Sequence, residues 1–77
     1  RLFLHFETYT PNFDRFEANP NGDGWRTVPA DWTWFLDSGR NMLEVRAVNK
    51  SGVRGKAARV ALNLADRQLG DWYRRER

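Results

Sequence analysis

Met42-Leu43-Glu44-Val45-Arg46-Ala47-Val48 alternates its side chains with a period of two. Successive side chains of a strand point to opposite faces of a sheet, so Leu43, Val45 and Ala47 are expected inward, with Glu44 and Arg46 outward. Asn49-Lys50-Ser51-Gly52 and Gly55 then form a loop, and Arg59 to Leu64 returns with Val60, Leu62 and Leu64 on one face. The two runs are expected to pack these triplets opposite one another across a sandwich core. Burying residues of this kind stabilises by roughly 1.5–3 kcal/mol each.

The same alternation extends upstream. Leu2, Leu4 and Phe6 share one face and Phe3, His5 and Glu7 the other. Thr10-Pro11-Asn12 is a turn signal, and Phe13 to Ala18 reads as a second strand. Asn19-Pro20-Asn21-Gly22-Asp23-Gly24 is the strongest turn in the chain, because Asn-Gly and Asp-Gly reach positive φ at little cost. Trp25 to Val28 follows as a short strand closed by Pro29. Trp32 to Leu36 is the fourth, with Trp32, Trp34 and Leu36 on one side, before the turn at Asp37-Ser38-Gly39. Six short strands with a turn every eight to twelve residues predict an all-β, antiparallel two-sheet sandwich over residues 1–65. Residues 66–77 read as a tail or linker: Asp66, Leu69 and Trp72 sit at helical spacing, but Gly70 interrupts it.

Composition agrees with this plan. Seventy-seven residues make one small domain, and a chain of this size buries only about 60% of its unfolded surface. There is no cysteine, so no disulfide or thiolate metal site staples it. Five Phe, four Trp and two Tyr supply large buried area per residue instead. No apolar run exceeds three residues, against about 20 for a membrane-spanning helix, so no membrane insertion is expected. Residues 1–66 carry nine basic and eight acidic side chains, so most of the net charge of +3 comes from the C-terminal arginines. That distribution argues against nucleic acid as a partner. The chain opens on Arg1, directly before a strand, and reads as a piece of a longer or processed protein.

Trp34 to Gly52, in particular Gly39-Arg40-Asn41 followed by the strand ending Arg46-Ala47-Val48-Asn49, resembles the late strands of bacterial fibronectin type III-like and immunoglobulin-like modules. Phe16 to Trp25 is similar to their central hairpin. The resemblance covers about residues 2–65. It implies an accessory module of a multidomain protein, such as one beside a transglutaminase-like or polysaccharide-processing enzyme or a sensor kinase, with an extracellular or periplasmic setting. One departure is plain: a complete seven-strand module has a strand ahead of the one at Leu2. Either the piece is cut short, or this variant leaves an edge for a neighbouring domain to cover.

Catalytic chemistry finds little footing. His5 is the only histidine and lies on the outward face, with no nucleophile placed beside it. Asn19-x-Asn21-x-Asp23-Gly24 matches the opening of a calcium loop, but position twelve is Ala30 and Pro20 stiffens the turn. The acids are scattered one per element, unlike the facing pair of a glycosidase. Asn49-Lys50-Ser51 is a glycosylation sequon, meaningful only in a secreted eukaryotic chain. No cofactor is expected. Phe3, His5 and Phe35 are the candidate interface, for an adjacent domain of the parent protein or another protein. Arg46, Lys50, Arg54, Lys56 and Arg59 form a basic hairpin that is the candidate anion contact, with a plain solvated hairpin as the alternative. Exposed tryptophans would instead make a carbohydrate-binding module. A thin sandwich, however, needs such rings for its core.

Overall fold

The computed structural model describes residues 1–64, so expectations for 66–77 lie outside the described residues. Six strands form: β1 (Leu2–His5), β2 (Phe13–Pro20), β3 (Arg26–Val28), β4 (Asp31–Trp34), β5 (Gly39–Asn49) and β6 (Ala58–Leu64). All pairing is antiparallel, and there is no helix among the described residues. β1 and β4 make a two-stranded sheet, and the other four make a second sheet in the order β3-β2-β5-β6.

The two sheets face one another in a sandwich-like arrangement. Phe16, Ala18, Val28 and Leu43 from the larger sheet meet Trp34 from the smaller one, with Leu2, Leu4, Phe6 and Trp32 packed around them. The Phe6 and Phe16 rings bridge the layers with centroids 5.5 Å apart. The β1 pattern follows the expected alternation, and Trp32, Trp34 and Leu36 all turn inward as expected.

One packing expectation is corrected. Leu43 and Val60 do not oppose each other across the core; they are lateral partners in one sheet, as are Asn41 and Leu62, and Gly39 and Leu64. A period of two says which residues share a face. It does not say whether two strands pair side by side or stack. Connection length does not decide it either: β3 and β4, joined by two residues, fall in different sheets, whereas β5 and β6, joined by eight, pair directly.

The turns are built by asparagine. At the β2–β3 connection Asn21 (φ 52°) and Gly22 (φ 74°) are both left-handed, and Asp23 N–H donates to the Pro20 carbonyl at 3.0 Å, as in a type I′ hairpin turn. β2 thus runs two residues further than the alternation suggested. Between Phe13 and Arg15 the register shifts by a bulge, which lets Phe13 and Phe16 share a face, with ring centroids 4.8 Å apart. Asn41 is wholly buried and accepts from Asp37 N–H at 2.8 Å while donating to the Asp37 and Gly39 carbonyls. It clips the β4–β5 loop closed.

Candidate functional site: an aromatic face and a charged face

Each sheet turns one face outward. On the two-stranded sheet that face carries Phe3 and His5 from β1, together with Asp31, Thr33 and Phe35 from β4 and the residue after it. The register pairs Phe3 with Thr33, so Phe35, two residues on, lies diagonally across from Phe3 on the same face. Phe3 is 72% exposed and Phe35 is 70% exposed. All three residues of the candidate interface therefore share one surface. Arg1 stacks on the Phe3 ring at 5.6 Å and flanks the patch with positive charge.

His5 sits between two carboxylates. Its Nδ1 donates to Asp31 Oδ1 at 2.6 Å, and its Nε2 lies 3.3 Å from Glu7 Oε1. The hydrogen bond to Asp31, then its negative charge, raise the His5 pKa above the ordinary histidine value, and Glu7 adds to the effect. With both ring nitrogens facing acceptors, the imidazolium is the form this cluster favours. The cluster is exposed.

The outer face of the four-stranded sheet holds the charges. Glu17 on β2 lies opposite Arg46 on β5, and Arg46 Nε donates to Glu17 Oε1 at 2.9 Å. Arg15 donates to the other oxygen of Glu17, from Nη2 at 3.2 Å, and Arg54 approaches Glu17 at 3.8 Å. Burial opposes the ionised form of Glu17 more than any single contact favours it. The hydrogen bonds from Arg46 and Arg15, with their charges, together prevail and lower its pKa. Farther along the sheet, Glu44 accepts from Arg59 at 3.0 Å and from Asn19 at 3.2 Å.

The five basic residues of the candidate anion contact are thus not equivalent. Arg46 and Arg59 hydrogen-bond to carboxylates of the same face, and Arg54 reaches toward Glu17. Lys50 and Lys56 make no ion pair among the described residues. Alternation on β5 identified Arg46 as outward. It did not identify Glu17, 29 residues away, as its partner, nor Trp25, whose ring the Arg46 guanidinium covers at 3.7 Å.

Two smaller motifs are taken up by the fold. Asn19 Oδ1 accepts from Gly24 N–H at 2.9 Å and Asn21 Oδ1 from Met42 N–H at 2.7 Å, so both side-chain oxygens of the calcium-like run already hold backbone donors. In the sequon, Asn49 Oδ1 accepts from Ser51 and Val53 N–H and organises the β5–β6 loop.

No family model matches the sequence, and comparison with curated proteins and with solved structures finds no similar protein.

Proposed function

We propose that this chain is an immunoglobulin-like or fibronectin type III-like accessory module without catalytic machinery, acting by packing against another domain of its parent protein or another protein. The strand order supports the fold assignment. In such modules the second and fifth strands pair in one sheet and the third, sixth and seventh form the other, which variable-type members extend with strands inserted after the third. β1–β4 and β3-β2-β5-β6 fit that scheme with the first strand absent from the described residues. A transglutaminase-like enzyme is one parent that the sequence resemblance supports.

The observation that carries the docking role is the diagonal pair Phe3 and Phe35, both more than two-thirds exposed on one face. Large apolar rings grouped on a small sheet mark a contact surface. Sedimentation velocity on the intact chain and on a Phe3→Ser/Phe35→Ser variant tests it. The expected result is concentration-dependent self-association of the parent chain, abolished in the variant. A monodisperse and highly stable parent monomer would remove the docking reading. The second reading, carbohydrate binding, draws on the same exposed aromatic pair, since a sugar ring stacks on an exposed aromatic ring. Trp32 and Trp34 lend it nothing, because they turn into the core.

A further inference from the structure

Asn21-Gly22 is the chain's single Asn-Gly pair, and both residues are left-handed, at φ 52° and φ 74°, in the β2–β3 turn. Such a pair is open to hydrolytic deamidation, because glycine puts no side chain in the way of its own amide nitrogen. In that reaction the Gly22 nitrogen attacks Cγ of Asn21. The Cγ–Nδ2 bond breaks, and ammonia leaves with the proton of the Gly22 nitrogen. Water then opens the cyclic imide at either carbonyl, giving aspartate, or isoaspartate with the main chain running through Cβ. The net change consumes one water and releases one ammonia.

The folded turn blocks the first step. A left-handed residue has ψ of about +47°. In an L-residue that value sets the following nitrogen anti to Cβ across the Cα–C bond, so Cγ of Asn21 cannot reach the Gly22 nitrogen. The side-chain amide is also engaged at both ends. Its Oδ1 accepts from Met42 N–H at 2.7 Å, and its Nδ2 donates to Asp37 Oδ2 at 3.3 Å and to Asn41 Oδ1 at 3.4 Å. Asn21 N–H donates to the Met42 carbonyl at 2.7 Å as well. Reaching the reactive geometry therefore means undoing the turn and its ties to β5 and the β4–β5 loop together.

The product does not fit the place that the amide leaves. A carboxylate keeps an acceptor for Met42 N–H but has no donor, and its second oxygen faces the Asp37 carboxylate and the Asn41 oxygen. Two carboxylates so close repel one another. Isoaspartate adds a backbone carbon to a turn whose span is set by the 3.0 Å bond from Asp23 N–H to the Pro20 carbonyl.

We infer that Asn21-Gly22 is a one-way modification site, shielded while the sandwich is closed and converted by water, once the turn opens, to an acidic residue that the closed turn rejects. Every group that shields it belongs to residues 20–42, so the site is complete whatever chain precedes β1 or follows β6. A copy that has opened and reacted closes again with a weaker tie between the β2–β3 turn and the segment after β4.

Timed incubation of the intact chain beside a synthetic peptide of residues 19–24, in one buffer and followed by mass spectrometry of digests, tests the shielding. The peptide should deamidate at least about tenfold faster than the folded chain, and urea that unfolds the chain, added to both, should bring the two rates together. Asn21→Asp, made directly, tests the rejection. It should lower the thermal midpoint at neutral pH, and adding Asp37→Asn should recover most of that loss, because an amide at position 37 donates to the new carboxylate. If Asn21→Asp alone does not fold, the double variant still should. Equal rates in the folded chain and the peptide overturn the inference, as does an Asn21→Asp chain as stable as the parent. A loss that Asp37→Asn leaves unrecovered also overturns it, since the charge facing Asp37 would then not be what the turn rejects.

Discussion

Arg46 holds its guanidinium carbon 3.7 Å from the centroid of the Trp25 ring while its Nε donates to Glu17 at 2.9 Å. One planar cation thus covers an aromatic face and neutralises a carboxylate that is 8% exposed. Arginine suits both tasks because its charge is delocalised over a flat fork. Trp25 belongs to the β2–β3 connection and Glu17 to β2, so the contact ties that hairpin to β5 from outside the core.

Removing the fork should therefore cost stability without touching the apolar interior. Arg46→Ala is expected to destabilise by about 1.5–3 kcal/mol, the range for a hydrogen bond to a charged group. Arg46→Lys should fall between, since it keeps the charge and loses the stacked plane. Urea unfolding followed by circular dichroism measures both. Equal losses in the two variants would show that the plane, not the charge, is the stabilising feature.

Acid and alkali should act on different clusters. Glu17 has a lowered pKa, so its contribution is complete above the unfolded carboxylate value of about 4.3 and disappears as pH falls through its folded value. His5 has a raised pKa, so its contribution is complete below the unfolded histidine value of about 6.5 and is lost as pH rises through the folded one. Thermal midpoints measured against pH should show both slopes. Glu17→Gln should flatten the acid limb alone, and Asp31→Asn the limb above about 6.5. An acid limb unchanged in Glu17→Gln would mean that other carboxylates govern it.

Asn41 also holds the fold through a polar side chain, in phase with Leu43, Val45 and Ala47 on the inward face of β5. In the sequence it belongs to the Gly39-Arg40-Asn41 run ahead of the strand, and nothing there announces a fully buried amide that serves the β4–β5 loop. Asn41→Leu should leave the Asp37 N–H without this acceptor and the Asp37 and Gly39 carbonyls without this donor; both residues are exposed, so water replaces part of what is lost and the cost is about 0.5–1.5 kcal/mol per hydrogen bond. Hydrogen exchange at Asp37 N–H should accelerate before the rest of β5 responds. Unchanged exchange there would place the loop's order elsewhere.

Strand number, turn positions and the inward faces of β1, β4 and β5 were legible because each depends on neighbours within about ten residues. Leu2, Leu4 and Phe6 alternate with Phe3, His5 and Glu7, and burial follows that alternation. The lateral pairing of Leu43 with Val60 was not legible, because pairing and stacking produce the same periodicity. Glu17 and Trp25 escaped for a related reason. Sequence marks both as single residues near a turn, and only the β2–β5 register brings them to Arg46. The aromatic face was half legible. Phe3 was outward by alternation, whereas its diagonal neighbour Phe35 needed the β1–β4 register to be placed beside it.

Tryptophan emission separates a core role from a sugar platform. Trp34 is 2% exposed, Trp32 packs partly buried against the core, and Trp25 lies under Arg46. In a Trp72→Phe background, which removes the indole outside the described residues, acrylamide should quench weakly. Adding Arg46→Ala should raise quenching by uncovering Trp25 alone, with Trp34 still protected. Titrating an oligosaccharide should leave this emission unshifted if docking proceeds through Phe3 and Phe35, since neither phenylalanine reports in the indole band. A saturable shift that disappears with Arg46→Ala would instead make Trp25 the sugar contact. Weak quenching with no shift confines any carbohydrate contact to the Phe3–Phe35 face, where Phe35→Ser decides it by loss of binding in calorimetry.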